Sequence, residues 1–410
     1  MKKRLFIICM LLLLGISCAN ARRGLELLDS LQWSTIRYMW DGAEPNSGMA
    51  LERIHLDGTA SEADLHTVTT GGTGFGLCGL IVGMERGWID REKGVGRIAH
   101  IVRFLEKADR FHGMWPHWLD GRTGRVRPFS PKDDGGDVVE SSFLMQGLLC
   151  VRQWLNKDAP AEQRLREQID QLWREMEFDW YTRGGQPCLY WHWSPRYGWD
   201  MNLPIHGYNE CLAAYVLALA HPTHSIPYDC YRQGWCRRGQ NGAEMTDGPL
   251  FWAHYSWIGI CPRHYRDEYV RYARAVRDHV RRNYAHCLAN PHGYPLYGRD
   301  CWGLTASYSP GGYSAHAPSN DLGVVSPTAA LCSMPYLPRE SRRMLQFLWN
   351  RRDLLWDEYG PIDAFSTDFS WMPHRYLAID QLPIAPMVEN YRTGLLWKLF
   401  MSCPEIRANS

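Results

Sequence analysis

The stretch Asp137-Val138-Val139-Glu140-Ser141-Ser142-Phe143-Leu144-Met145-Gln146-Gly147-Leu148-Leu149 shows the pattern from which the fold of this chain can be predicted. Its apolar residues return with the period of an α-helix, and two acids stand at its start. Asp137 can cap this helix, and Glu140 lies three residues later on the first turn. The stretch therefore predicts a helix that begins with two carboxylates on one side.

Segments with the same periodicity recur along the chain and predict ten to twelve helices. They cover residues 24–41, 74–87, 90–111, 138–156, 160–181, 208–220, 264–287, 322–333, 339–350 and 383–403, with shorter candidates at 249–258 and 353–359. No alternating run of β-branched residues is long enough to found a sheet, and no linker divides the chain. We therefore predict one all-α domain over residues 24–403. An (α/α)6 toroid, with two layers of six helices around an open centre, suits a domain of this length.

Composition narrows the classes of partner. The chain has 410 residues, with 45 basic and 44 acidic side chains, and the first seventeen residues hold three of the basic ones. A mature chain with 42 basic and 44 acidic residues would carry a net charge of −2, which argues against nucleic acid or an anionic membrane surface as a partner. The chain has 19 Trp and 21 Tyr but only 12 Phe. Trp and Tyr rings carry a polar group that needs a hydrogen-bond partner, so this composition favours partly hydrated surfaces.

The N-terminus has the features of an export signal. Lys2-Lys3-Arg4 precedes an apolar run of about ten residues, which is too short to span ~30 Å of hydrocarbon. Residues 1–17 are therefore predicted to be a signal peptide. Gly15-Ile16-Ser17-Cys18 resembles a bacterial lipobox, so Cys18 is predicted to be lipidated, although an ordinary signal peptide is the alternative. We expect a periplasmic or outer-membrane protein that contacts the membrane only through this anchor.

The cysteines do not define a disulfide framework. Thirteen are scattered singly, without any C-x-x-C pair. Eleven remain once Cys9 and Cys18 are set aside, and an odd number cannot all pair. Cys78 and Cys150 stand in apolar runs typical of small buried groups. A Cys230–Cys236 bridge stays open.

Aromatic loops between the helices predict a cleft, because the loops at one end of a helical ring gather there. The alternative is that these rings only plug a large helical protein. The rings that we assign to cleft walls are Trp115, Trp118, Trp191, Trp193, Trp199 and Trp302.

Acidic residues mark where chemistry is expected. Asp133 and Asp134 precede the pair Asp137 and Glu140, and four acids so close together repel one another unless they serve a site; helix capping is the alternative. Glu210 stands at the start of an apolar helix behind the aromatic run Tyr190-Trp191-His192-Trp193. Burial among rings would raise its pKa and suit it to donate a proton. A helix-dipole partner is the alternative reading.

Carboxylates in an aromatic cleft predict glycoside hydrolysis, in which one acid protonates the leaving oxygen and a second carboxylate activates water or attacks the sugar. Polar side chains would bind the sugar hydroxyls. The candidate substrate-binding residues are Trp191, Trp193, His192, Arg196, Trp115, Trp302, Asp380 and Glu389.

Motifs for nucleotide or metal binding are weak in this sequence. Gly74-Phe75-Gly76-Leu77-Cys78-Gly79 matches G-x-G-x-x-G, but no strand precedes it, and small residues for close helix packing explain it better. The histidines include no H-E-x-x-H and no paired Cys/His spacing, so His112, His117, His192 and His206 are interpreted as hydroxyl-binding or structural. We predict no metal and no cofactor.

Several stretches resemble the glycoamylase-like domain family. They include Thr73-Gly74-Phe75-Gly76-Leu77, the segment 137–149, Gly207-Tyr208-Asn209-Glu210, Asp300-Cys301-Trp302-Gly303-Leu304-Thr305-Ala306-Ser307 and Glu389-Asn390-Tyr391-Arg392-Thr393-Gly394. The resemblance is spread over roughly residues 24–403. Within the family the chain is most similar to the bacterial endo-β-1,2-glucanases of glycoside hydrolase family 144.

That resemblance implies an (α/α)6 enzyme that inverts anomeric configuration and cleaves β-1,2-glucan. It also implies Asp137, Glu140 and Glu210 as the acids of the cleft, with their acid and base roles left open. The segment 309–318 is where relatives differ, so endo or exo action also stays open. The remaining alternatives are a helical lipoprotein that binds glycan without cutting it, and a hydrolase of another β-glucan or of sophorose-type oligosaccharides.

Overall fold

Helices provide most of the regular structure, as the periodicity predicts. A computed structural model describes residues 24–235 and 248–407. Within these residues the helices are α1 (24–40), α2 (Thr70–Glu85), α3 (Arg91–Leu105), α4 (Val138–Trp154), α5 (Pro160–Arg174), α6 (Leu212–Ala220), α7 (Tyr228–Gly234), α8 (Tyr272–Ala289), α9 (Pro327–Leu331), α10 (Pro338–Trp349), α11 (Arg352–Leu355), α12 (Ala378–Gln381), α13 (Ile384–Arg392), α14 (Leu395–Met401) and α15 (Pro404–Arg407). Single 3-10 turns lie at Trp180–Thr182, Leu250–Ala253 and Ser256–Ile258.

The strands are short, and several of them pair with strands far away in the sequence. In the described residues they are β1 (Arg53–His55), β2 (Thr67–Thr69), β3 (Trp118–Asp120), β4 (Val126–Arg127), β5 (Gly136–Asp137), β6 (His192–Trp193), β7 (Ala306–Ser307), β8 (Ser314–Ala315), β9 (Val324–Val325), β10 (Trp356–Asp357), β11 (Gly360–Pro361), β12 (Phe365–Ser366) and β13 (Arg375–Leu377). All pairings are antiparallel: β1 with β13, β2-β3-β4 in order, and the pairs β5–β6, β7–β8, β9–β12 and β10–β11. These ribbons tie loops together while the helices form the core.

Helices α2 and α4 lie at the centre of the core. Nearly every residue of both is buried, so neither has a polar face. They can approach closely because glycine stands at two contact points. A Cβ at Gly74 would overlap the carbonyl of Phe143, and a Cβ at Gly147 would overlap Gly74. The G-x-G-x-x-G motif therefore serves close helix packing, as the sequence interpretation favoured.

The first described helix meets the late helices. The amide of Gln32 in α1 donates to Glu389 Oε2 at 3.1 Å and to the carbonyl of Ala385 at 3.1 Å, both in α13. Arg392 donates to Asp29 and to Gln32 Oε1 at 2.5 and 2.6 Å. Helix α1 therefore packs against the late helix α13.

Several helix boundaries differ from the prediction for local reasons. The predicted segment 264–287 becomes helical only at Tyr272, and 322–333 becomes β9 followed by α9, which Pro327 can begin. Segment 383–403 divides into α13 and α14 at Gly394, whose φ of +71° leaves the helical region. Segment 353–359 contains α11 and then β10.

Several predictions for the termini and cysteines fall outside the described residues. These are the signal peptide at residues 1–17, lipidation of Cys18 and the bridge from Cys230 to Cys236. Among the described helices, none combines the length and the apolar composition that crossing a membrane requires.

Candidate active site

One cleft of about 760 Å³ gathers acids and aromatic rings from distant parts of the chain. Its wall includes Glu140 from the first turn of α4, Glu210 from the turn before α6, and rings from the loops. The lining residues are Glu52, Arg53, Thr69, His117, Trp118, Phe129, Val139, Glu140, Phe143, Trp191, Glu210, Phe251, Tyr255, Tyr308, Ser309, Pro310, Gly312, Tyr313, Trp371, Arg375, Leu377 and Ile379. A concave site with apolar faces and a few carboxylates suits a carbohydrate.

Glu140 is a buried carboxylate at the cleft. Its Oε2 accepts a hydrogen bond from the backbone amide of Gly71 at 2.9 Å, where α2 begins. Burial raises the pKa of Glu140 to about 7, and the nearby carboxylate of Asp137 adds to the shift. The positive charge of His117 and the Gly71 amide act the other way, because both favour the ionised form. Glu140 can therefore change its protonation state near neutrality.

Glu210 lies in a turn two residues before α6, so it precedes the helix rather than starting it as predicted. Its backbone carbonyl accepts a hydrogen bond from the Ser256 hydroxyl, which ties this turn to the next 3-10 segment. The pKa of Glu210 is raised to about 7, mainly by burial and in smaller part by the negative charges of Glu140 and Asp137, while a hydrogen bond from its own backbone acts the other way. The neighbouring charges therefore favour a protonated Glu210.

Asp137 lies behind the cleft surface. Its side chain is 0% exposed, and its Oδ1 accepts from the amides of Val139 and Glu140 at 2.9 Å each, which makes it the N-cap of α4 as predicted. Its Oδ2 accepts from the Trp191 indole at 3.2 Å and lies 3.0 Å from His117 Nδ1. Through these contacts Asp137 supports four residues that line the cleft: Val139, Glu140, Trp191 and His117.

His117 is a cleft residue whose central position the sequence did not reveal. Burial lowers the pKa of His117, but the negative charges of Glu140 and Asp137, with a smaller contribution from Asp133, raise it to about 9. The ring stacks on Phe129 with centroids 4.2 Å apart. His117 therefore places a positive charge among the acids. In the sequence, the only indication was that His117 and Asp137 lie 20 residues apart, on either side of the β3–β4 hairpin.

The same residues define where a metal could be held. Donor atoms of His117, Asp133 and Asp137 lie within 4.8 Å of one another. Both oxygens of Asp137 already accept hydrogen bonds, Oδ1 from two backbone amides and Oδ2 from the Trp191 indole and His117. The neighbouring acids raise the pKa of His117 to about 9, and a protonated imidazole cannot ligate a cation. The arrangement therefore fits a hydrogen-bonded charge network better than a metal centre.

The predicted aromatic walls divide into three groups. Trp191 and Trp118 line the cleft. Trp193 and Trp199 pack with Trp180 beyond the lining residues. Two further rings, Trp115 and Trp302, have 0% exposure, and their indole N–H groups donate to the carbonyls of Leu105 and Glu340, so these two are core residues.

Two predicted polar contacts also lie outside the lining. His192 is buried, where its Nε2 accepts from the Gly135 amide at 3.1 Å and lies 3.2 Å from Asp133. Arg196 is 74% exposed, with its Nε 4.0 Å from Asp134. The short β5–β6 ribbon pairs His192 with Asp137 and so brings His192 beside the residues that precede β5.

Asp380 lies beneath the cleft rather than in its wall. It is 1% exposed, and its Oδ1 accepts from the Tyr255 hydroxyl at 2.9 Å. Asp363 contacts it carboxyl to carboxyl and also accepts from the Tyr308 amide at 2.9 Å. Burial raises the pKa of Asp363 to about 7 and that of Asp380 well above its usual range. The two acids support Tyr255 and Tyr308, which face the cleft.

Other cleft residues carried no signal that sequence reasoning used. Glu52 and Arg53 form an ion pair beside β1, which pairs with β13 and so brings Arg375 and Leu377 to the same wall. Five further aromatic residues of the lining lie between the α-helices and strands, where their positions depend on tertiary contacts: Phe129, Tyr255, Tyr308, Tyr313 and Trp371.

Glu389 is a structural residue away from the cleft. It is 2% exposed and accepts three hydrogen bonds from Arg86, at 2.8, 2.8 and 3.0 Å.

We expect Glu389→Ala to lower the free energy of unfolding by about 3 kcal/mol, because it leaves the Arg86 charge without its partner. Denaturant unfolding would measure this loss. In contrast, Glu358→Ala removes only an exposed pair with Arg37 and should cost less than about 1 kcal/mol. A Glu389→Ala variant of native stability would contradict this assignment.

Comparison with known proteins identifies the family. The model described as "Glycoamylase: Putative glucoamylase" matches residues 202–404. The endo-β-1,2-glucanase from Chitinophaga pinensis, solved with sophorotriose and glucose, is 52% identical with a TM-score of 0.91, and the match covers 94% of this chain and 96% of that one. This chain belongs to the glycoamylase-like family, in glycoside hydrolase family 144.

Two further matches come from Parabacteroides distasonis. An exo β-1,2-glucooligosaccharide sophorohydrolase (non-reducing end) is 41% identical over 416 residues, which is 93% of this chain and 57% of that protein. A solved β-1,2-glucanase is 39% identical with a TM-score of 0.90, and the match covers 94% of this chain and 59% of that one. This chain thus spans less than two thirds of the length of either relative.

Proposed function

We propose that this glycoside hydrolase cleaves β-1,2-glucan with inversion at the anomeric carbon. The observation that carries the proposal is the presence of Glu140 and Glu210 in one aromatic cleft, each with a pKa raised to about 7. Such a pair can hold one proton at neutral pH, as an acid and a carboxylate must. The β-1,2-glucan activity in the names of the relatives supports the choice of linkage.

Glu210 is the proposed general acid and Glu140 the carboxylate that holds the attacking water. The charges nearest to Glu210 are acidic, which favours its protonated form. Glu140 instead has the cation of His117 and the Gly71 amide, which favour its ionised form. With a sugar bound, we expect the two carboxyl groups to stand ~6.5–9.5 Å apart, which leaves room for the water.

The aromatic rings are the proposed sugar platforms. Trp118 and Phe129 meet edge to face at 5.0 Å on one wall, and Tyr308 and Tyr313 belong to the loop that forms another. Glucose rings have apolar faces that stack on such surfaces, while Glu52, Arg53 and Arg375 can bind hydroxyl groups at the rim.

Release of sophorose from the chain end is the second candidate. It is favoured by the exo-acting relative from Parabacteroides distasonis, whereas the relative from Chitinophaga pinensis is endo-acting. Chromatography of early products separates them. Endo action yields a range of oligosaccharide lengths, whereas exo action yields sophorose from the first minutes.

The proposed scaffold is an (α/α)6 toroid. Support comes from the contact of α1 with α13 through Gln32, which joins the two ends of a helical array. The central position of α2 and α4, both buried on all sides, suits helices of an inner layer.

The deciding experiment is incubation of purified protein with β-1,2-glucan and an assay for new reducing ends. We expect reducing ends from β-1,2-glucan and none from β-1,3-glucan, β-1,4-glucan or starch. Binding of glucan without any new ends would instead support a glycan-binding lipoprotein, and cleavage of another glucan would overturn the linkage.

We also propose export with lipidation at Cys18, which rests on the residues before it. A diacylglycerol and an acyl chain together supply the two anchors that stable attachment needs. Cys18→Ala should move the protein from the membrane fraction to the soluble fraction, as immunoblotting would measure. A native protein that is already soluble and begins at another residue would contradict lipidation.

A further inference from the structure

Two histidines and an aspartate meet outside the cleft wall. His286 lies in the last turn of α8, His292 in the loop that follows, and Asp321 in the turn before β9. One donor atom from each lies within 4.8 Å of the other two. We propose that His286, His292 and Asp321 bind one divalent transition metal, for which zinc is the best chemical match.

The carboxylate of Asp321 is held with one oxygen toward the histidines. Its Oδ1 accepts from the Tyr297 hydroxyl at 2.8 Å and from the Gly323 amide at 3.0 Å. Its Oδ2 lies 2.7 Å from His286 Nε2. Hydrogen bonds of this kind orient a metal-binding carboxylate, so the outer contacts of a site are already present.

The loop that carries His292 is also ordered by its own contacts. The Asn290 side chain accepts from the Tyr294 amide and donates to the Tyr294 carbonyl, both at 2.8 Å. The Tyr294 ring packs so closely on Gly323 that a Cβ there would lie 2.8 Å from it. The loop is thereby fastened to the turn that holds Asp321, while His292 itself stays exposed and open to ions from solvent.

The donor set suits zinc. Two imidazole nitrogens and a carboxylate oxygen are a known zinc combination that leaves the fourth position to water. Ligand atoms around tetrahedral zinc lie about 3.3 Å apart, so His286 and Asp321 need to separate by only about 0.6 Å and His292 needs to move inward. Cys287 is next in sequence, but it is fully buried in the core and is not among the donors that lie together.

The position of the site gives it a structural role. His292 and Asp321 stand on either side of residues 298–320, the segment that includes the cleft residues 308–313. A metal bound to both would close this segment at its base. We therefore expect zinc to raise the unfolding temperature by a few degrees, because it binds the folded state and not the unfolded one.

The test uses tag-free full-length protein, freed of metal with a chelator and titrated with zinc chloride in a calorimeter. We expect one zinc per chain and a higher unfolding temperature. His292→Ala should weaken zinc binding at least about tenfold, and its exposed position keeps the fold intact. Asp321→Asn should do the same if it folds.

His224→Ala is the matched control. His224 is a surface histidine 3.1 Å from Asp179 and close to His221, but His221 uses both ring nitrogens in contacts with the backbone. This variant should bind zinc like the wild type. No zinc binding by the wild type, or unchanged binding by His292→Ala, would overturn the proposal. Zinc lost only with His117→Asn would place the ion in the cleft and would also overturn it.

Discussion

Glu210→Gln should give a folded protein that still binds β-1,2-glucan and cleaves it roughly 10²–10⁴-fold more slowly. The proton of Glu210 is required only as the glycosidic bond breaks, so its removal should act on kcat far more than on binding. Glutamine keeps the size of the side chain and leaves the backbone carbonyl that accepts from Ser256. Reducing-end kinetics and calorimetric binding would measure both effects.

A matched control for this variant is Glu358→Gln, which changes an exposed carboxylate outside the cleft lining and should leave kcat unchanged. If Glu210→Gln kept near-native turnover, Glu210 would be a residue of the turn alone. The acid would then have to be sought among Asp137, Glu140 and Asp380.

Glu140→Gln should lower kcat by a similar roughly 10²–10⁴-fold, because the attacking water would lose its base. The substituted amide oxygen can still accept from Gly71, so we expect the start of α2 to stay intact. Asp137→Asn is the informative comparison, since asparagine also caps a helix but removes the charge beside His117. If Asp137→Asn lost all activity while Glu140→Gln kept it, the base would be Asp137.

An activated leaving group separates the two roles. In an aryl glycoside of an acidic phenol, the phenolate can leave without being protonated. Such a substrate should therefore restore much of the turnover of Glu210→Gln. It should not help Glu140→Gln, which lacks the base in either case. The opposite result would exchange the roles of Glu140 and Glu210.

The pH profile should be bell-shaped with a maximum near 7. Activity requires an ionised Glu140, so it falls as the pH drops below the pKa of that group, and it requires a protonated Glu210, so it falls as the pH rises above the pKa of that one. Both pKa values are raised to about 7, and the two carboxyl groups interact. The apparent pKa values of the two limbs therefore describe the pair and not either residue alone. In Glu140→Gln the acidic limb should disappear from kcat/KM, and a surviving limb would point to another base.

Residue type and spacing were enough to place the central acids. Glu140 lies three positions after an N-cap, and Glu210 stands at the edge of an apolar helix, so local patterns singled out both. The helical class and the close packing through Gly74 were also predictable, because periodicity and small residues are properties of a single segment. Boundaries were less accurate where a proline delayed the start of a helix, as at Pro327, or a left-handed glycine divided a predicted helix, as at Gly394.

The sequence by itself thus determined a helical chain with one acid in the first turn of a helix and another close before a helix, because both features depend on neighbours a few residues apart. The tertiary structure alone decided which aromatic and charged side chains face those acids. Trp115 and Trp302 went to the core, while Phe129 and Tyr313 came to the cleft from loops. Exposure of a ring, and the charge of His117 between two acids, depend on contacts between segments far apart in sequence, and no local pattern records them.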